Sequence, residues 1–171
     1  TGTVKGNVTV TYYYKLKTAT LTVNHYIEGT TTPLVATTNQ LVYWGDTYTT
    51  SIVPVDSNYE YSSVTGNPTG KVSGNITVTY YYKLKTATIT VHHYIEGTTT
   101  KLADDVTFTK KYTDTYTTEV AKVNSNYELV GTPDNANGTV SGNVTVIYYY
   151  KLKEATLTVH HYKEGTTTKL A

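Results

Sequence analysis

The chain has 171 residues, 19 of them Tyr, no Cys and a formal net charge of +1. Without cysteine there are no disulfide staples or thiolate metal sites, and the interspersed acids and bases leave no basic footprint for nucleic acid or an anionic membrane. No run approaches the length of a membrane-spanning helix, so insertion of this segment into a bilayer is not expected.

From the N-terminus, Gly6-Asn7 reads as a turn into an extended run, Val8 to Leu16, that carries the letters YYYKLK. The same letters return at Tyr80 and Tyr148, so Tyr12, Tyr80 and Tyr148 mark a period of 68 residues. A fixed period of this kind denotes tandem structural units. Each YYYKLK passes without Gly or Pro into a second extended run rich in Thr and Val. The apolar positions are even in the first run (Val8, Val10, Tyr12, Tyr14, Leu16) and odd in the second (Ala19, Leu21, Val23, His25, Ile27). Successive strand residues face opposite sides, so the buried face changes sides between the runs. The expected organisation is the last strand of one unit (1–17), two whole units (18–85 and 86–153) and the first strand of another (154–171).

Within the first whole unit, Ala19 to Ile27 alternates cleanly and leads through Glu28-Gly29-Thr30-Thr31-Thr32-Pro33 as a hairpin-type connection. Leu34 to Tyr43 reads as a second strand ending near Trp44-Gly45-Asp46. Thr47 to Thr50 is expected to open a short helix or turn capped by Asp46. Pro54 and Asp56-Ser57-Asn58 mark a loop before the extended Tyr59-Glu60-Tyr61, and turns at Gly66-Asn67-Pro68 and Gly74-Asn75 precede the closing strand. The second unit repeats this plan and is identical at more than half of the aligned positions, with the divergence concentrated in the middle. Its Thr113 stands where the first unit has Gly45.

Candidate chemistry is sparse. His25, His93 and His161 share the apolar parity and His92 and His160 the other, so adjacent histidines face opposite sides and cannot hold one metal together. Half-buried packing or exposure is the expectation for both columns. Neither has a nucleophile or fixed carboxylate beside it in sequence, so no catalytic residue is assigned and an enzyme is the least expected class. Asp104-Asp105 with Glu96 would suit Ca²⁺, but the first unit has Ala36-Thr37 there, and a solvated turn is the expectation. A Lys–Asn isopeptide bond would need a constellation that does not recur in both copies. Neither metal nor cofactor is expected.

Two rows remain: Tyr13, Tyr81 and Tyr149, and Tyr26, Tyr94 and Tyr162. Tyr81, Tyr149 and Tyr94 with Lys83 and Lys151 form the candidate glycan-binding residues. Aromatic faces stack on sugar rings, and lysines favour sialylated or sulfated ones. The same Tyr–Thr pairs also serve simply to stabilise a sheet.

The ordered set TxTVxxYxEG, GDTYTT at Gly45 to Thr50, NYEL at Asn126 to Leu129 and GxVxGNVTVxYxY resembles the MucBP repeat of Gram-positive surface proteins. Thr113 departs from the Gly of the second motif, and EGTTT replaces an acidic turn, which removes a basis for cation binding there. The resemblance implies a mostly β, β-grasp-like (ubiquitin-like) fold with little or no helix, in which first and last strands lie parallel and tandem copies form an elongated rod. With about 10 residues per strand at about 3.3 Å each, the axial advance would be about 35 to 45 Å per unit. It further implies an extracellular, cell-wall-anchored protein whose repeats act as a semi-rigid adhesive stalk. The alternative is direct binding of host mucin or another glycoprotein. A third expectation is self-assembly with further copies through exposed β edges.

Overall fold

The computed structural model describes residues 2–170, which divide into two compact units at Lys85/Thr86. In the first, the strands are β1 (Thr18–Ile27), β2 (Pro33–Tyr43), β3 (Thr47–Thr49), β4 (Tyr59–Thr65), β5 (Thr69–Lys71) and β6 (Ile76–Leu84). In the second they are β7 (Thr86–Ile95), β8 (Lys101–Lys111), β9 (Thr115–Thr117), β10 (Tyr127–Leu129), β11 (Asn137–Thr139) and β12 (Val144–Leu152). Among the described residues no helix forms.

Each unit is built on a four-stranded sheet, ordered β2-β1-β6-β4 in the first and β8-β7-β12-β10 in the second. The two central strands of each sheet run parallel, in register from Leu21↔Ile76 to Ile27↔Tyr82 and from Val144↔Ile89 to Tyr150↔Ile95. The outer strands are antiparallel to their neighbours. Glycine at positive φ makes the β1–β2 turn possible: Gly29 has φ 73°, and Gly97 repeats it at 71°. A side-chain amide stitches the entry of the last strand to the first, with the Thr20 amide donating to Asn75 Oδ1 at 2.9 Å and the Thr88 amide to Asn143 Oδ1 at 2.9 Å.

Thr47 to Thr50 corrects the expectation of a short helix. Thr47–Thr49 is β3, paired antiparallel with β5, and Thr115–Thr117 is β9, paired with β11. β-branched Thr loses side-chain freedom in a helix and fits a pleated strand, and the partner supplies the hydrogen bonds that no local cap could. A tyrosine lies over a glycine across each ribbon, Tyr48 opposite Gly70 and Tyr116 opposite Gly138. A Cβ on either glycine would sit 3.1 to 3.2 Å from the Tyr ring or hydroxyl.

The ribbon and the following loop cover one face of the large sheet. The first core joins Ala19, Leu21, Val42, Val72, Val78, Tyr80 and Tyr82, flanked by Tyr48 and Val55. The second joins Ile89, Val91, Tyr116, Val140, Val146, Tyr148 and Tyr150 with Ala87 and Ala136. The parity expected of β1 holds up to Val23, where a bulge interrupts its pairing with β2 and both Asn24 and His25 become buried. Thr113 takes the turn of Gly45, with φ 70° against 89°. A β-branched residue in this region carries strain of about 1 to 2 kcal/mol, and the turn is nevertheless kept, with the Thr113 amide donating to Val140 O at 2.9 Å.

Residues 2–16 carry no strand pairing, Lys17 accepts from the Trp44 amide at the end of the β1–β2 ladder, and 154–170 carry one isolated bridge, Tyr162↔Lys169. Val8, Tyr12, Tyr13 and Leu16 are correspondingly exposed. Their counterparts within the whole units, β6 and β1, are each other's partners, and an extended segment without a partner has no ladder to bury its apolar side.

Candidate functional site

The parallel register decides which tyrosines meet. Tyr26 lies directly opposite Tyr81, and Tyr94 opposite Tyr149, on the sheet face turned away from the core. Tyr81 and Tyr94 are half-buried and Tyr149 is 39% exposed, so the second unit shows more aromatic surface. Two residues further along the same face, Lys83 Nζ lies 3.5 Å from Glu60 Oε1 and Lys151 Nζ 3.4 Å from Glu128 Oε1. The structure therefore brings Tyr94, Tyr149 and Lys151 onto one face, and Tyr81 and Lys83 onto its equivalent. Each lysine already faces a carboxylate, which lowers its pull on an anionic sugar. Tyr13 and Tyr162 lie outside the paired sheets.

The two units differ beside this row. In the first, Asn24 Nδ2 donates to Thr79 Oγ1 at 3.2 Å while the Thr37 hydroxyl donates to Asn24 Oδ1 at 2.8 Å. In the second, the equivalent positions are His92, Ile147 and Asp105. His92 Nδ1 lies 2.8 Å from Asp105 Oδ1, and Lys101 Nζ donates to Asp105 Oδ2 at 2.7 Å. The lysine hydrogen bond, then the histidine, hold the Asp105 carboxyl below the usual carboxylate range, and the same bond raises Lys101. Asp105 is thus engaged by Lys101 and His92, and Asp104-Asp105 lie within strand β8, which corrects the expectation of a solvated turn. Among the described residues no cluster of three or more His, Asp or Glu is arranged to hold a metal ion.

The apolar-parity histidines His25 and His93 are buried in a polar network, where half-buried packing or exposure is the expectation from sequence. His25 stacks on its direct strand neighbour Tyr80, with centroids 5.2 Å apart and planes at 9°, and its Nδ1 is 3.0 Å from the Tyr82 hydroxyl. His93 repeats this on Tyr148, at 5.2 Å and 11°, with Nδ1 3.0 Å from the Tyr150 hydroxyl. The Tyr82 hydroxyl also meets the Val53 backbone, accepting from its amide at 3.4 Å and donating to its carbonyl at 3.5 Å. Burial lowers both histidines from their ordinary value and raises both tyrosines. Next along the strand, the Tyr148 hydroxyl meets Thr118 Oγ1 at 2.8 Å, and that hydroxyl donates to Ala136 O at 2.9 Å. Tyr80, Thr50 and Pro68 reproduce the chain. The signal lay in the sequence: parallel pairing of first and last strands sets His25 beside Tyr80 and one core position from Tyr82.

A cleft of about 390 Å³ opens in the first unit between β2 and β3, lined by Gln40, Tyr43, Asp46, Thr47 and Tyr48. At the position of Gln40 the second unit has Phe108, which packs against the core opposite Ile89. Gln40 makes no such contribution opposite Leu21, which lines the cleft.

Among proteins of known sequence, the chain is 31% identical over 150 residues to Internalin J of Listeria monocytogenes serotype 4b (strain F2365), covering 83% of the chain and 16% of that protein. It is 29% identical over 132 residues to Internalin J of L. monocytogenes serovar 1/2a, covering 75% and 15%. The chain thus spans about a sixth of the length of the curated relatives it matches. Among solved structures, the type 2 repeat of the mucus binding protein MUB from Lactobacillus reuteri aligns with TM-score 0.31 at 14% identity, over 79% of this chain and all of that one. Domains 3-4 of the Streptococcal High Identity Repeats in Tandem from a cell surface protein align with TM-score 0.33 at 14% identity, over 78% of this chain and 99% of that one. The MucBP domain profile matches residues 16–83 and 88–151, nearly all of both units, and the chain belongs to the MucBP domain family.

Proposed function

We propose that the two units are tension-bearing spacers in the stalk of a bacterial cell-surface protein, held to the cell wall through another part of the parent chain. The observation that carries this is the parallel pairing of first and last strands at the centre of each sheet. The chain enters β1 at one end of the sheet and leaves β6 at the other. A pull on the two ends therefore shears the whole ladder at once instead of opening it bond by bond. Only Lys85 separates β6 from β7, so load passes between units with little slack. The strand order with its parallel central pair also supports a β-grasp assignment in which the β3–β5 ribbon and the 50–58 loop stand where a helix would pack. Short strand-to-strand connections support the rod.

The test is single-molecule pulling. Pulled through its ends, the chain should unfold in two events, each releasing one unit, at forces several-fold above those needed when handles sit on Thr18→Cys and Tyr43→Cys. Those two residues are opposed at one end of an antiparallel pair, so that geometry unzips. Equal forces in both geometries would sink the load-bearing role.

Direct binding of mucin glycans is the second reading, favoured by Tyr94 and Tyr149 lying side by side on an open face. It predicts saturable binding to intact mucin, lost on glycan-stripped mucin and weakened at least tenfold by Tyr149→Ser. No binding at about 1 mM protein, an affinity weaker than about −4 kcal/mol, leaves the spacer role alone.

A further inference from the structure

We infer that the β2 edge of the first unit is a docking strand for β2 of a second copy, joining two four-stranded sheets antiparallel about a two-fold axis at Leu41. The reading deepens the self-assembly expectation and stands whether or not the units bear load. It starts from the contrast between two equivalent edges in one chain. β2 and β8 are both 11-residue outer strands. β8 carries Lys101, Asp104, Asp105, Lys110 and Lys111, the charges that keep an open edge from pairing. β2, PLVATTNQLVY, carries no charge at all.

The hydrogen-bond phase sets the register. The Trp44 amide donates to Lys17 O at 3.0 Å, so Lys17 and Trp44 form a hydrogen-bonded pair in the β1–β2 ladder. Such pairs alternate, so Val42, Gln40 and Thr38 also bond inward to β1, while Tyr43, Leu41 and Asn39 direct their N–H and C=O groups outward. The Thr20 amide, opposite Leu41, confirms this phase by pointing away from β2 to Asn75. The bulge past Thr38 limits the regular edge to Thr38–Tyr43.

Two such edges related by a two-fold axis place Leu41 against Leu41 and Asn39 against Tyr43. That register makes about six backbone hydrogen bonds and no like-charge contact. Tyr43 O already accepts from the Asp46 amide at 3.2 Å and contributes its second lone pair. Leu41, 63% exposed and absent from the core, gains an apolar partner. The same register on β8 would oppose Lys111 to Thr107 and Lys110 to Phe108 of the other copy, placing four lysines within two residues of the axis. Moreover, the Lys111 amide donates to Asp114 Oδ2 at 3.2 Å, which blocks one outward donor.

Sedimentation equilibrium of the full chain from about 10 μM to about 1 mM should show the average mass rising from monomer toward dimer. Leu41→Lys sets two ammonium groups beside each other at the axis and should weaken dimerisation at least tenfold, while Thr109→Lys, at the matching place on β8, should not. Leu41→Cys should give a covalent dimer on mild oxidation, because residues opposed in a hydrogen-bonded pair have Cα atoms about 5.5 Å apart. Thr109→Cys, as exposed, should not. An unchanged circular-dichroism spectrum shows that Leu41→Lys is folded. A chain that stays monomeric at about 1 mM, or a dimer that Leu41→Lys leaves intact, overturns the inference. So does a different protein or glycan bound in a Leu41-dependent way by a monomeric chain.

Discussion

Gly66→Ala is expected to destabilise the first unit strongly and leave the second unchanged. Gly66 sits just beyond β4 with φ 80°, and a Cβ there would lie 2.3 Å from Thr77 O and 3.2 Å from Val78 Cα. Those atoms belong to β6, the parallel partner of β1, and cannot move aside without breaking the central ladder. The left-handed backbone adds about 1 to 2 kcal/mol to the clash for an L-residue. A total of about 3 kcal/mol or more would consume much of the stability of a unit this small. The corresponding residue is Asp134, where β10 has already ended at Leu129, so the second unit has no such close approach to lose. Thermal melting followed by tyrosine fluorescence should resolve two transitions in the variant, one displaced strongly downward. A single unshifted transition would contradict the contact.

Tyr150→Phe should cost the second unit about 1 to 3 kcal/mol, since it leaves the Nδ1 atom of His93 buried without its hydrogen-bond partner. His93 is 1% exposed, so no water replaces the phenol. The same burial sets a pH dependence. A buried neutral histidine whose folded pKa lies below its unfolded value binds fewer protons folded than unfolded. Its contribution to stability is therefore fully present above about pH 6.5 and declines as pH falls through the unfolded value toward the lowered folded one. His25 acts in the same direction in the first unit. Urea midpoints measured from pH 8 to pH 5 should fall on the acid side for the parent chain. A His25→Phe, His93→Phe double variant should show a shallower fall; equal slopes would show that other groups carry the acid sensitivity.

Much of the candidate site was legible once the direction of pairing was in hand. Alternation placed Tyr80, Tyr82, Tyr148 and Tyr150 on the core side and Tyr81 and Tyr149 on the other, because strand side chains have a strict period of two. The family motifs supplied the parallel pairing, and with it Tyr94 beside Tyr149. The β3–β5 ribbon was not legible. Three threonines in four residues state a dislike of helix but do not name a partner, and β5 is only Thr69–Lys71, too short to show a period. The pairing of Lys83 with Glu60 and of Lys151 with Glu128 was equally hidden, since the glutamates lie 23 residues away along the chain.

The sequence by itself determined the 68-residue period, the family, the β class and the faces of the long strands. Each of these depends on local spacing or on letters that recur, and both survive in one dimension. Tertiary structure alone decided that Asp105 is claimed by Lys101 and His92, that histidine and tyrosine are hydrogen-bonded across the central ladder, and that β2 is an open edge. These depend on which strands become neighbours and in which register. The long-range hydrogen-bond ladder chooses that arrangement, and no stretch of contiguous residues encodes it.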